Sequence, residues 1–140
     1  MINKILSKHK GFQNYWYPEV KEETVYKSPD IEKYREGCAE KEAALQEKYK
    51  EYIPQGWYGF SLGSPTPHSW FEIIDEFLAY LVSLQYEDKI TNFEIHQIKT
   101  KFGGIRFYVS YSCLDEELDE FLELQISYLE NILQDEKLVY

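Results

Sequence analysis

The sequence predicts an α+β domain in which helices pack on a central antiparallel β-hairpin or small sheet, in the order α-α-β-β-α. Three observations carry this. Apolar residues recur at helical spacing over 69–86 and again over 113–134. Between them, over 93–111, the period falls to two. Gly103-Gly104 divides that stretch, and a glycine pair at the centre of an alternating run is a hairpin signal.

The chain has 140 residues, of which 44% are hydrophobic, which suits a single domain whose core closes without metals or disulfides. That content argues against disorder. No apolar run approaches the ~20 residues of a membrane span, and the lysine-bearing N-terminal segment has no continuous apolar stretch of signal-peptide length. Cys38 and Cys113 are too few for a disulfide scaffold and lack zinc-site spacing, so a reducing cytoplasm is the expected compartment and no metal is expected. The formal net charge of −10 argues against general nucleic-acid binding, because phosphates are repelled. The charge is unevenly spread. Lys89, Lys99, Lys101 and Arg106 against Glu94 leave residues 89–112 net positive, whereas residues 113–140 hold nine acids against Lys137.

Residues 1–28 carry Phe12, Tyr15, Trp16, Tyr17 and Tyr26 without sustained period, and read as an irregular arm packed by its rings. A first helix is expected over 29–52, opened by Ser28-Pro29-Asp30 and ended before Pro54. Its few large apolar residues make it peripheral, with one narrow buried stripe. Residues 53–69 hold three glycines and three prolines, so a long loop is expected, with Trp57, Tyr58 and Phe60 either folded back on the core or available for contact. The helix over 69–86 begins with a Ser69/Glu72 capping box and is apolar around much of its circumference, which assigns it to the centre of the core. In the hairpin, a turn at Gly103-Gly104 sets Phe102 opposite Ile105 and His96 opposite Tyr111. Ile98, Thr100, Phe107 and Val109 then share the core face, while Lys99, Lys101, Arg106, Tyr108, Ile95 and Phe93 share the other. The last helix, 113–134, turns Leu114, Leu118, Phe121, Leu122, Leu129, Ile132 and Leu133 inward. Its first turns are crowded with acids where the helix dipole favours them.

Ile98-Lys99-Thr100-Lys101-Phe102-Gly103-Gly104-Ile105-Arg106-Phe107-Tyr108 resembles the KxKFGGLRFY signature of small uncharacterised bacterial and phage-encoded proteins, in which a segment like Trp70-Phe71-Glu72-Ile73-Ile74-Asp75-Glu76-Phe77 lies on an upstream helix. The resemblance covers residues 69–125. It implies the helix, hairpin, helix order and a bacterial or mobile-element origin. Many such proteins end in paired cysteines that suggest a metal knuckle, which this chain lacks, and the resemblance supplies no catalytic residues.

Phosphate-binding glycine loops, His-Glu-x-x-His and Gly-x-Ser-x-Gly are all missing from the sequence, so no catalytic residue and no cofactor is assigned. Cys113 and His96 share a face in the expected register, near a helix start that favours a thiolate; the neighbouring acids oppose it, and a structural cysteine and histidine are preferred. The leading expectation is a non-enzymatic, immunity-protein-like or phage-encoded inhibitor that neutralises a basic partner protein such as a toxin, nuclease or defence protein. Glu116, Glu117, Asp119 and Glu120 would steer that partner, and Trp57 and Tyr58 would anchor it. The alternative is a small anionic-ligand or nucleic-acid module built on Lys99, Lys101, Arg106 and Tyr108. Otherwise those cations pair with acids of the flanking helices.

Overall fold

The computed structural model describes residues 16–21 and 30–135. Its elements are α1 (Ile31–Lys48), a 3-10 turn (Lys50–Tyr52), β1 (Gly59–Ser61), α2 (His68–Tyr86), β2 (Thr91–Lys101), β3 (Gly104–Ser112) and α3 (Glu116–Ile132). The α+β class holds, and the order gains a strand. β1 lies inside the expected loop and runs parallel to β2, with Gly59, Phe60 and Ser61 beside Gln97, Ile98 and Lys99. Parallel neighbours need a crossover, and α2 supplies it. A strand of three residues flanked by glycines and prolines has too little alternation to register as a pattern.

α2 is the central helix because Trp70, Phe71, Ile73, Ile74, Phe77, Leu78, Tyr80, Leu81 and Leu84 are all buried on it. Phe77 meets Phe107 of β3 edge to face, with ring centroids 5.8 Å apart. The expected capping box does not form. The helix starts one residue earlier, at His68 behind Pro67, without a side-chain cap from Pro67, and the His68 N–H donates to the Tyr34 hydroxyl at 2.9 Å. A tertiary contact has replaced the local one.

α1 is capped by Asp30, which accepts from Lys33 N at 3.2 Å, and it buries only Cys38 and Leu45, the narrow stripe expected of a peripheral helix. At its end the Tyr49 hydroxyl donates to Asp75 Oδ1 at 2.5 Å, and Lys48 Nζ donates to the same oxygen at 2.8 Å, which fixes α1 to α2. Ser28 and Pro29 lie outside the described residues, as does most of the aromatic arm. Of the arm, residues 16–21 are irregular, and Trp16 is buried. Gln125, buried on α3, receives the Trp16 N–H on Oε1 at 3.2 Å and donates from Nε2 to the Trp16 carbonyl at 2.9 Å. Gln125→Leu leaves both backbone groups unpaired in the core, so a loss of about 1–3 kcal/mol is expected. Proteolysis at Trp16-Tyr17 and the denaturation midpoint check this; a variant as resistant as the parent would contradict it.

The hairpin turn is Phe102-Gly103, with φ of 53° and 78°, and Lys101 faces Gly104. Two residues of positive φ form the turn that suits strand twist, and here a phenylalanine takes the first position. From Gln97 to the turn, each partner on β3 is therefore two residues nearer the turn than expected. That keeps the faces but moves Phe102 to the tip, where it is 85% exposed. A bulge between Ile95 and Gln97 then reverses the alternation, so that Ile95 and Phe93 enter the core and His96 is left without an opposite residue. A second irregularity follows at Asn92, φ 55°.

Contacts from the helices cover the β1 edge and the turn half of the β3 edge. Gln46 Oε1 accepts from Phe60 N at 3.0 Å and Glu42 Oε1 from Leu62 N at 2.5 Å along β1. Glu130 Oε2 accepts from Phe107 N at 2.8 Å, and the Leu133 carbonyl from Ile105 N at 3.2 Å, along the turn half of β3. Free strand edges recruit other chains, and these contacts prevent it.

Candidate functional site

Two surfaces of opposite charge result. The acidic one is built at the start of α3. Asp115 caps the helix by accepting from Glu117 N at 3.0 Å and Leu118 N at 3.2 Å. Glu116, Glu117 and Glu120 are exposed, while Asp119 is half-buried. The ion pairs among the described residues include Arg35–Glu32, Lys48–Asp75, Lys50–Glu47, Lys89–Glu87 and His96–Glu94, and Glu116, Asp119 and Glu120 take part in none of them. Leu114, expected on the inward stripe, is 100% exposed beside them. It precedes the first helical turn, where helical spacing no longer dictates direction.

A cleft lies at the connection that Cys113 touches. The Cys113 thiol lies 3.7 Å from the Lys89 carbonyl, and Thr91 pairs with Ser112, so the α3 start adjoins the α2–β2 connection. There a cleft of about 600 Å³ is lined by Glu51, Tyr52, Tyr86, Asp88, Asn92 and Glu94 among others. Burial, with the charges of Glu51 and Tyr86, pushes the Tyr52 phenol up, and Tyr86 stands 80% exposed at the rim. None of these residues was assigned a role from the sequence. Tyr86-Glu87-Asp88 marks only the change of period, and the cleft needs the 3-10 turn to be brought beside it.

The basic surface is the face of the sheet turned away from α2 and α3. Lys99 pairs with Arg106 and Gln97 with Tyr108 across the ladder, and Lys101 follows toward the turn, so the register sets all four expected residues on one side. The Arg106 guanidinium turns to the β3 edge, where it donates to the Ile105 carbonyl at 3.0 Å and lines a pocket with Tyr128, Glu130 and Gln134. Lys99 Nζ lies over the Tyr108 ring at 5.9 Å, Lys101 Nζ over Phe102 at 5.6 Å, and among the described residues no ion pair involves Lys99, Lys101 or Arg106. Trp57 belongs to this face, with its ring edge-on to His96 at 4.7 Å. Trp57 and the α3 acids, expected to serve one partner as anchor and steering charge, lie on different sides of the sheet. Tyr58 is 68% exposed, whereas Phe60 is buried in the core.

His96 and Cys113 are not brought together either. His96 Nε2 is 2.9 Å from Ser110 Oγ, and its Nδ1 is buried without a hydrogen-bond partner among the described residues. Burial pushes the Cys113 thiol up, and the charges of Asp119 and Asp115 add to this against the lowering contact with the Asp115 backbone. A protonated thiol is a poor nucleophile. Among the described residues no three His, Cys, Asp or Glu side chains converge on a possible metal position, and no helix is long and apolar enough to cross a membrane.

The fold and these surfaces define an α+β domain with a mixed three-stranded sheet, open on one face. No family model, curated protein or solved structure matches the chain.

Proposed function

We propose that the protein is a non-enzymatic binding protein that neutralises a basic protein partner, in the manner of an immunity protein or a phage-encoded inhibitor, in the cytoplasm. The observation that carries this reading is the fully exposed Leu114 beside the acids at the start of α3, of which Glu116, Asp119 and Glu120 form no ion pair among the described residues. An apolar anchor with an acidic rim suits a protein interface of opposite charge, with the charge speeding encounter and the anchor holding the complex. The adjoining cleft adds Tyr52 and Tyr86 as walls and Glu51, Asp88 and Glu94 as acceptors for a lysine or arginine side chain. The anchors in this reading are thus Leu114 and Tyr86, in place of Trp57 and Tyr58.

The test is an affinity comparison on the captured partner. Leu114→Ser and Tyr86→Ala are each expected to weaken binding about thirtyfold, mainly through faster dissociation, the scale of an interface hot spot. Trp57→Ala is expected to leave it unchanged. The opposite ranking would return the anchor to the 53–69 loop.

A further inference from the structure

We infer that the open sheet face is a second binding site, for a short segment of single-stranded nucleic acid. In a chain of net charge −10, Lys99 and Lys101 stand on one face without an ion pair among the described residues, and Arg106 shares their side of the ladder, its guanidinium donating to the Ile105 carbonyl at 3.0 Å at the edge beside α3. Exposed rings flank them along the hairpin. Phe102 stands at the tip, Tyr108 is 44% exposed in the row beside Lys99 and Arg106, and Trp57 is 51% exposed over His96 at the far end. Ser61 and Gln97 lie between, joined by a 3.3 Å hydrogen bond, and can turn polar groups to sugar or base edges.

The order of these groups selects the ligand. A small anion needs cations converging on one point, and an acidic peptide has no use for a line of aromatic faces. Cations between rings along an extended sheet suit a strand whose phosphates meet the cations and whose bases stack on the rings. Residues two apart on a strand are about 6.7 Å apart, so the face from Phe102 to His96 is long enough for only a few nucleotides. Glu94, 3.8 Å from His96, places a negative charge at its end. The α3 acids lie on the other side of the sheet, and at physiological salt screening reduces charge effects beyond about 8 Å. The local charge of the face therefore governs, and duplex, with its bases stacked inside, is not the ligand.

The test uses the full chain and a fluorescein-labelled 10-mer of oligo(dT), read by fluorescence anisotropy from low to moderate salt. Micromolar binding is expected, with competition by unlabelled single strand but not by duplex. About three phosphate contacts predict a log–log salt slope near −2. Lys99→Glu combined with Lys101→Glu is expected to reduce affinity at least tenfold, and Tyr108→Ala to reduce it about tenfold, with circular dichroism unchanged. Reversing the α3 acids should not weaken it. Since the charge variants are exposed, Tyr108→Phe serves as a second check, because it keeps the stacking face and should bind normally. Absence of binding at low salt, equal competition by duplex or by poly-glutamate, or indifference to the lysine and Tyr108 variants would overturn the assignment.

Discussion

Gly59→Ala is expected to destabilise the protein by about 2–4 kcal/mol, a large share of the roughly 5–15 kcal/mol that holds a domain folded. Gly59 has φ +71°, and a Cβ there would stand 2.5 Å from Gln46 Oε1 and 2.7 Å from Ile53 Cδ1. The left-handed backbone alone costs an alanine about 1–2 kcal/mol. The rest comes from displacing Gln46, whose Oε1 receives the Phe60 N–H at 3.0 Å and so seals the outer edge of β1. Gly56 separates the two contributions, since it has φ +91° but nothing within 4 Å of an added Cβ. Gly56→Ala should therefore show the backbone cost alone. Urea denaturation measures both, and a Gly59→Ala loss no greater than that of Gly56→Ala would show that the contact with Gln46 is dispensable.

Alkaline pH is expected to unfold the protein cooperatively within about two units above the ordinary tyrosine value of ~10. Burial pushes the Tyr49 phenol up, with the hydrogen bond to Asp75 adding to it. Burial, with the charge of Glu87, does the same for Tyr80, and burial, with Asp119 and Glu123, for Tyr111. These phenols stay protonated in the folded protein at a pH where the unfolded chain has lost their protons. Their stabilisation is complete below pH ~10 and is lost as pH rises above it. Each fully buried phenol contributes a slope of up to about 1.4 kcal/mol per pH unit. Tyr49 and Tyr80 approach that limit, and the half-buried Tyr111 contributes less. Tyrosinate absorbance followed beside circular dichroism should show exposed tyrosines ionising first and a second group ionising only with unfolding. A single titration of all tyrosines with the secondary structure intact would contradict this. Tyr49→Phe should flatten the alkaline limb.

The fold was legible where a pattern is long and local. α2 is apolar on so many sides that only a central position suits it, and the α3 stripe of Leu118, Phe121, Leu122 and Leu129 lies where its spacing puts it. What escaped depends on distant residues or on a single step in the backbone. β1 exists because α2 returns the chain beside β2. The bulge at His96 inverts the alternation on which face assignment rests, so Ile95 and Phe93 change sides. The turn moved by one residue because Phe102 adopts a conformation usually left to glycine or asparagine. The shared face of Lys99, Lys101, Arg106 and Tyr108 survived, because moving each partner by two preserves parity. The acids of α3 were legible as a run, but Leu114 and the cleft at Tyr86 were not. One lies just outside the helical period, and the other is assembled from two segments some thirty residues apart in sequence.

In the proposed function the acidic start of α3 recognises a basic protein. Capture from a host lysate on immobilised protein, run side by side with the fourfold reversal Glu116→Lys, Glu117→Lys, Asp119→Lys and Glu120→Lys, tests it most directly. The parent is expected to retain a basic protein at low salt and release it at high salt, and the reversed variant, folded by circular dichroism, to fail to retain it. Retention of the same protein by both, with the same salt dependence, would contradict it.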